Sequence, residues 1–420
     1  MKTQVTDSSL PRVRQLAGRR LSVFLTVLAV VAAVRVPAWG GQSVNDTIWL
    51  ETNSTAGNSI LAFRNTGSGS PTLLGSTPAG GIGVFDKSFA PFGPFDSDQN
   101  LITDPEGTLL FAVNSGSNSI AVFRITSNGL QAVDGSPFPS GGTDPVSVGF
   151  KDDILTVVNK DQDPAQNANL HLPNYTTFRV LPEGILVPIE RSAVSVAYGS
   201  SPSQALTASR GSFVFGADFL GGLLQSFRLD EDGRLRQNPP QALPDSLFEG
   251  HTVFHGPLGM RTHPQLRILY VDVTLINEVT VYRYDEKGRL SFVTAVADSG
   301  AAPCWAIVNH TGTRLYATNT GDNSISVFDL TDPLNPVEIQ HFLMDNTTGH
   351  PFSTVIDSSD QFIYVSSEQD TATATPAANA FHTLSVNSDG TLTEPFPPTV
   401  LPIVGTVPVR TQGITVAGAN

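Results

Sequence analysis

The sequence predicts an all-β chain: a seven-bladed β-propeller closed by pairing of its C-terminal strand with the first blade. Three observations predict this. One motif recurs seven times. Each copy alternates apolar and polar residues with the period of a strand. The two ends of the array each carry part of one unit.

The clearest copies read FAVNSGSNSIAVFRI near Phe111 and LYATNTGDNSISVFDL near Leu315. Each is a short apolar strand ending in Asn114 or Asn319, a polar turn, then Ile-x-Val-Phe. Weaker copies begin at Thr47, Ile154, Phe213, Ile268 and Phe362. One aromatic position aligns as Phe63, Phe123, Phe178, Phe227, Tyr282 and Phe328, with Leu384 in the seventh copy. Neighbours in this series lie 46 to 60 residues apart, the spread expected of variable loops on a constant core. A Gly turn follows most aromatic strands, at Gly129, Gly184, Gly233, Gly288 and Gly390. Glycine supplies the positive φ of tight hairpins. Next comes a strand opened by Pro145, Pro303 or Pro351. Four strands in about 50 residues, repeated, are the signature of propeller blades. The first copy starts with its second strand at Thr47, and residues 411–418 (TQGITVAG) read as a lone innermost strand. Together they complete blade one.

The first forty residues read as an address rather than as fold. Four arginines at 12, 14, 19 and 20 precede an apolar run from Leu21 to Val34, and small residues follow. These are the parts of a signal peptide, or of a signal anchor if uncleaved. The run is shorter than the roughly 20 residues of a membrane-spanning helix. We therefore expect a signal segment over 1–40, one propeller domain over 41–420, and a secreted or periplasmic location, with no membrane contact beyond that anchor. Taking away residues 1–40 reduces 24 basic and 38 acidic side chains to 18 and 37, because the segment holds six basic residues and Asp7. So acidic a body disfavours nucleic acid as partner. One cysteine excludes a disulfide scaffold or a multi-cysteine metal site. An unidentified small molecule or protein is the expected partner, and a monomer the expected state. Asn45, Asn53, Asn174, Asn309 and Asn346 stand in Asn-x-Ser/Thr sites that could carry glycans in a eukaryotic host.

Long connections near 75–99, 159–174, 236–256 and 366–380 should gather over one mouth of the channel, where a propeller binds ligands. The candidate ligand-binding residues there are Asp144, Asp218, His255, Asp272 and His350. No residue is assigned as catalytic. No cofactor is required by the sequence. Two weak metal patterns exist: His251 with His255 for zinc or copper, and Asp161 with Asp163, beside Asn167 and Asn169, for calcium. Neither has a complete motif: the first lacks a helix and the second lacks the Gly and closing Glu. Solvated loops and structural histidines are the plainer reading. Arg64, Arg124, Arg179, Arg228 and Arg283 follow the aromatic position, which suggests ion pairs or stacking between blades. Cys304 beside Pro303 reads as a small buried residue.

The LYATN stretch and the Asn-Ser-Ile-Ser-Val-Phe stretch make the sequence resemble the YVTN-type and lactonase-type seven-bladed propellers, over about residues 44–418. The enzymatic branch of that family includes 6-phosphogluconolactonases and carboxymuconate-cyclising enzymes. The resemblance implies a His opening one blade, a Gly-Pro-Arg-His stretch opening the next, and a Glu on the following strand. Here those places read Ser201-Pro202-Ser203-Gln204, Gly256-Pro257-Leu258-Gly259 and Thr274, while Asp218 matches an Asp-containing strand. His255, Arg261 and His263 stand close by. The leading expectation is a ligand- or protein-binding scaffold using one face of the channel. The alternative is a hydrolase or isomerase acting on a lactone or related small acid through a diverged site.

Overall fold

The structure is a computed structural model that describes residues 46–85, 97–166, 170–251, 253, 255–345, 349–368, 379–402 and 410–417. The expected export segment, Asn45 and Asn346 lie outside them. Ser43–Asn420 form one compact unit. Among the described residues no helix is long and apolar enough to cross a membrane.

Seven antiparallel sheets follow one another along the chain. In blade five the order from the channel outward is Pro257–Thr262, Ile268–Val273, Glu278–Tyr284 and Leu290–Ala297. Blade six repeats it with Pro303–Val308, Arg314–Asn319, Ser324–Asp329 and Val337–Leu343. Blade seven uses His350–Ile356, Phe362–Glu368, Ala380–Val386 and Leu392–Thr393. In blades two, three, four and seven the outermost strand is split, and a second short piece pairs with the same third strand. In blades one, five and six it is continuous, with a register shift at the aromatic position. Either device relieves the twist that an outer strand accumulates.

Closure follows the expectation. Ile414–Val416 pairs antiparallel with Asp46–Glu51, placing Ile48 opposite Val416 and Leu50 opposite Ile414. The aromatic position drives stacking between blades. All seven of its residues are buried. Phe227 of blade four packs on Tyr175 of blade three at 4.5 Å, and Phe63 of blade one on Phe381 of blade seven at 4.8 Å. Losing such a ring to alanine costs roughly 3–5 kcal/mol. The five turn glycines all have φ between 79° and 106°, as hairpin turns require.

The arginine expectation is corrected. Arg64, Arg124, Arg179, Arg228 and Arg283 lie exposed on their third strands. The strand alternation that buries the aromatic residue points its neighbour outward. The glycan expectation is corrected at two positions. Asn53 and Asn309 are buried, and their side-chain N–H groups bond to Val84 O and Arg410 O, and to Thr311 Oγ1 and Thr313 Oγ1. Asn174 is half-buried.

Candidate functional site

Five residues beyond the second-strand partner of the aromatic position, the same rung in every blade carries Asn53, Ser115, Lys160, Phe219, Thr274, Thr320 and Glu368. Three of these are hydroxyls that reach the innermost strand of the next blade. Ser115 Oγ donates to Pro145 O, Thr274 Oγ1 to Pro303 O at 2.8 Å, and Thr320 Oγ1 to Pro351 O at 2.9 Å. The ends of the second strands and the starts of the innermost strands therefore meet at one mouth of the channel, as the loop pattern implied. We call it the upper mouth.

Beneath it the channel is crossed. Residues 97–100, which lead into the Leu101–Thr103 strand of blade two, run among the inner strands of other blades. Ser97 Oγ donates to Val146 O at 2.7 Å, and the Asp98 N–H donates to Ser203 O at 3.2 Å. Gln204 Nε2 donates to Asp98 Oδ2 at 3.2 Å and to Met260 O at 3.1 Å, while Gln204 Oε1 accepts the Met260 N–H. Arg261 Nη2 reaches Asp98 Oδ2 at 3.3 Å, and its Nε donates to Ala306 O. Burial holds the Asp98 carboxyl above its ordinary range, against the pull of Arg261. Below this crossing, at the other mouth, a small recess opens beside Gln99, Arg261, Asn309, His310 and Thr354.

Above it, Phe219, Leu258, Cys304, Trp305 and Phe352 form an apolar cluster. Cys304 is buried, as expected, and its thiol donates to Ala302 O. Trp305 packs edge-on against Phe352 at 5.2 Å, and its indole N–H has no acceptor among the described residues. Asp272 is fully buried here, and neither of its carboxylate oxygens has a partner among the described residues. A Cβ on Gly259 would stand 3.0 Å from Asp272 Oδ2 and 2.7 Å from Trp305 Cα, so the carboxyl lies beside the blade-six inner strand. Burial pushes its pKa well up, and the charges of Asp298 and Asp98 push the same way. Asp298 itself is raised to about 6, chiefly by burial, although Ser326 Oγ and the Gly300 N–H donate to it. A buried acid kept neutral by such surroundings can hold and deliver a proton.

The other candidates sort as follows. Asp144 and Asp218 are buried and joined by one chain of bonds. The Gln162 N–H donates to Asp144 Oδ2, Ser201 Oγ donates to Gln162 Oε1, and the Ser201 N–H donates to Asp218 Oδ1. Burial raises Asp144 well above its usual range, while Lys160 pulls it down. His350 opens the innermost strand of blade seven, with Nδ1 3.0 Å from Thr320 O, opposite Glu368 in register. Glu368 in turn pairs with Arg410. His255 stacks on Phe248 at 3.8 Å, and its Nε2 lies 3.9 Å from the exposed Asp245. His251 is exposed. Asp161 Oδ2 accepts the His171 N–H, and Asp163 accepts from the Ala165 N–H and Gln166 Nε2. These two carboxylates thus bind their own loop; Asn167 and Asn169 lie outside the described residues. Among the described residues no group of three or more His, Cys, Asp or Glu could hold a metal ion. The sequence reading missed the Asp98–Gln204 crossing. Its signal was visible: at the second position after the blade-opening proline, Gln204 and Trp305 replace the small residues Ser147, Gly259 and Ser353.

Residues 251–383 match the family model described as "Lactonase, 7-bladed beta-propeller". No curated protein matches the chain. Two solved structures named "putative 6-phosphogluconolactonase" resemble it. The one from Bacteroides uniformis has a TM-score of 0.64 at 14% identity, covering 89% of this chain and 99% of that one. The one from Bacteroides fragilis has a TM-score of 0.64 at 16% identity, covering 90% and 99%. The periplasmic gluconolactonase PpgL of Pseudomonas aeruginosa has a TM-score of 0.63 at 16% identity, covering 90% and 100%. At such identities the likeness is one of fold. The chain has the seven-bladed β-propeller fold throughout, and its residues 251–383 are similar in sequence to the lactonase-type propellers.

Proposed function

We propose that the upper mouth binds a small uncharged lactone and that Asp272 serves its hydrolysis as a protonated acid. The observation that carries this is the buried Asp272 carboxyl, unpartnered among the described residues and raised in pKa beside an apolar wall. A buried polar group without a partner calls for an explanation, and perturbed acids concentrate at active sites. Water adds to the lactone carbonyl carbon and the ring C–O bond breaks. Asp272 gives its proton to the departing ring oxygen and regains one from the water, leaving a hydroxy acid. Leu258 and Gly259, where the enzymatic branch carries Arg and His, remove two groups that could hold a phosphate, which favours an uncharged substrate. The fold likeness to a gluconolactonase supports the substrate class. The export-type segment over 1–40 supports a secreted or periplasmic place of action.

The test is a hydrolysis screen of neutral and phosphorylated lactones with the wild type and Asp272→Asn. Neutral lactones should turn over, and the variant should lose about 100-fold or more. Wild-type rates equal to buffer, or equal rates for the two proteins, would sink the reading. A second reading, a scaffold that binds without turnover, draws on the aromatic and aliphatic cluster around Trp305. It predicts lactone binding by calorimetry with no product formed.

A further inference from the structure

Blade seven departs from blades three and six at two diagonal positions on neighbouring strands. At the last rung of the second strand, blades two, three, four and six carry Asn114, Asn159, Asp218 and Asn319. The same rung in blade seven is Ser367. On the third strand the residue two before the aromatic position is Thr176 in blade three and Ser326 in blade six, but His382 in blade seven. In blades three and six this pair makes a neutral bond: Asn159 Nδ2 donates to Thr176 Oγ1 at 3.3 Å, and Asn319 Nδ2 to Ser326 Oγ at 3.0 Å. Such a bond fixes the two strands and cannot move a proton.

Blade seven replaces it with three groups in series. His382 Nε2 lies 2.8 Å from Ser367 Oγ, and His382 Nδ1 lies 2.7 Å from Glu394 Oε1. The carboxylate takes the Nδ1 proton as its hydrogen-bond donor, which leaves the Nε2 lone pair facing the serine hydroxyl. Glu394 is itself oriented: its Oε2 accepts the Asp345 N–H at 2.9 Å. Ser367 and His382 are 0% and 1% exposed, so the array works away from bulk water, where a charged intermediate feels its partner strongly. Ser367 sits beside the upper mouth. It pairs in register with Pro351, next to Phe352 of the apolar cluster, and its carbonyl accepts from Thr411 of the closing strand segment.

We infer that Ser367, His382 and Glu394 form a nucleophilic acyl-transfer centre for neutral carboxylic esters or lactones, separate from Asp272. The order nucleophile, base, orienting carboxylate is the constellation by which such centres are recognised on unrelated folds. Ser367 Oγ bonds to the acyl carbon and its proton passes to His382 Nε2. The departing alkoxide takes that proton as the C–O bond breaks. Water then enters by the reverse path and frees the acid and the serine.

The test treats the folded full chain with an alkyl fluorophosphonate, which phosphonylates activated serines, and maps the adduct by mass spectrometry. One adduct on Ser367 is expected. Ser367→Ala should abolish it, and Glu394→Gln should slow it about tenfold or more. Arg228→Ala, exposed in blade four, should label like the wild type, and the adduct is mapped on Ser367 whatever the lactone screen gives, so this result and the Asp272 reading stand or fall apart. Mapping on the wild type needs no variant to fold. No adduct under conditions that fully label a control serine esterase, an adduct elsewhere, or labelling only in urea would overturn the inference.

Discussion

Gln204 Nε2 donates to Asp98 Oδ2 at 3.2 Å, joining a residue that leads into blade two with one that leads into blade four. The same amide holds both backbone groups of Met260 in blade five. One side chain thus ties three parts of the ring together inside the channel. Gln204→Ala should leave the Met260 N–H and the Asp98 carboxyl short of partners and cost about 2 kcal/mol. Urea unfolding with an unchanged m-value checks it.

Ring closure rests on a short edge. Truncation before residue 410 removes Ile414–Val416 and bares the Asp46–Glu51 strand with Ile48 and Leu50. The shortened chain should lose its cooperative transition and self-associate through that open edge. Size-exclusion chromatography and thermal melts decide; a monomer that melts like the full chain contradicts the closure argument.

Buried acids give the fold a pH dependence of defined sign. A carboxyl raised in the folded state stabilises below its unfolded pKa and loses that contribution as pH rises through the folded value. For Asp298 the window runs from about 4 to about 6; for Asp272, also raised, it begins at the same lower end. Asp272→Asn should therefore match the wild type near pH 4 and exceed it at pH 8 in urea midpoint. A variant no more stable than the wild type at pH 8 would show that the acid is satisfied in solution.

Stacking across blades should show directly in stability. Phe227 is fully buried against Tyr175. Phe227→Ala should cost roughly 3–5 kcal/mol, whereas Arg228→Ala, one residue on and exposed, should stay within about 0.5 kcal/mol. Comparable losses at the two positions would contradict the alternation.

Glycan occupancy separates sequence motif from structure. Made in a eukaryotic secretory host, the folded protein should carry no glycan at Asn53 or Asn309, whose amides are buried and bonded. Peptide mapping with and without glycosidase reads this out.

The repeat alone determined the number of blades, the buried aromatic position, the turn glycines and the pairing of Ile414–Val416 with the first blade. These follow from period-two patterning and local turn chemistry, which are properties of neighbours in sequence. Asp144, Asp218 and Asp272 were legible as polar groups near the channel because Asp218 and Asp272 end or nearly end an apolar strand and Asp144 directly precedes one. What they do was not legible. Only tertiary structure joined Asp144 to Asp218 through Gln162 and Ser201, left Asp272 without a partner among the described residues, and brought Asp98 to Arg261 across 163 positions of chain. Only it set His382 between Ser367 and Glu394. A ring places at its axis residues from every blade, and sequence spacing within one blade carries no record of which residue of another will stand opposite.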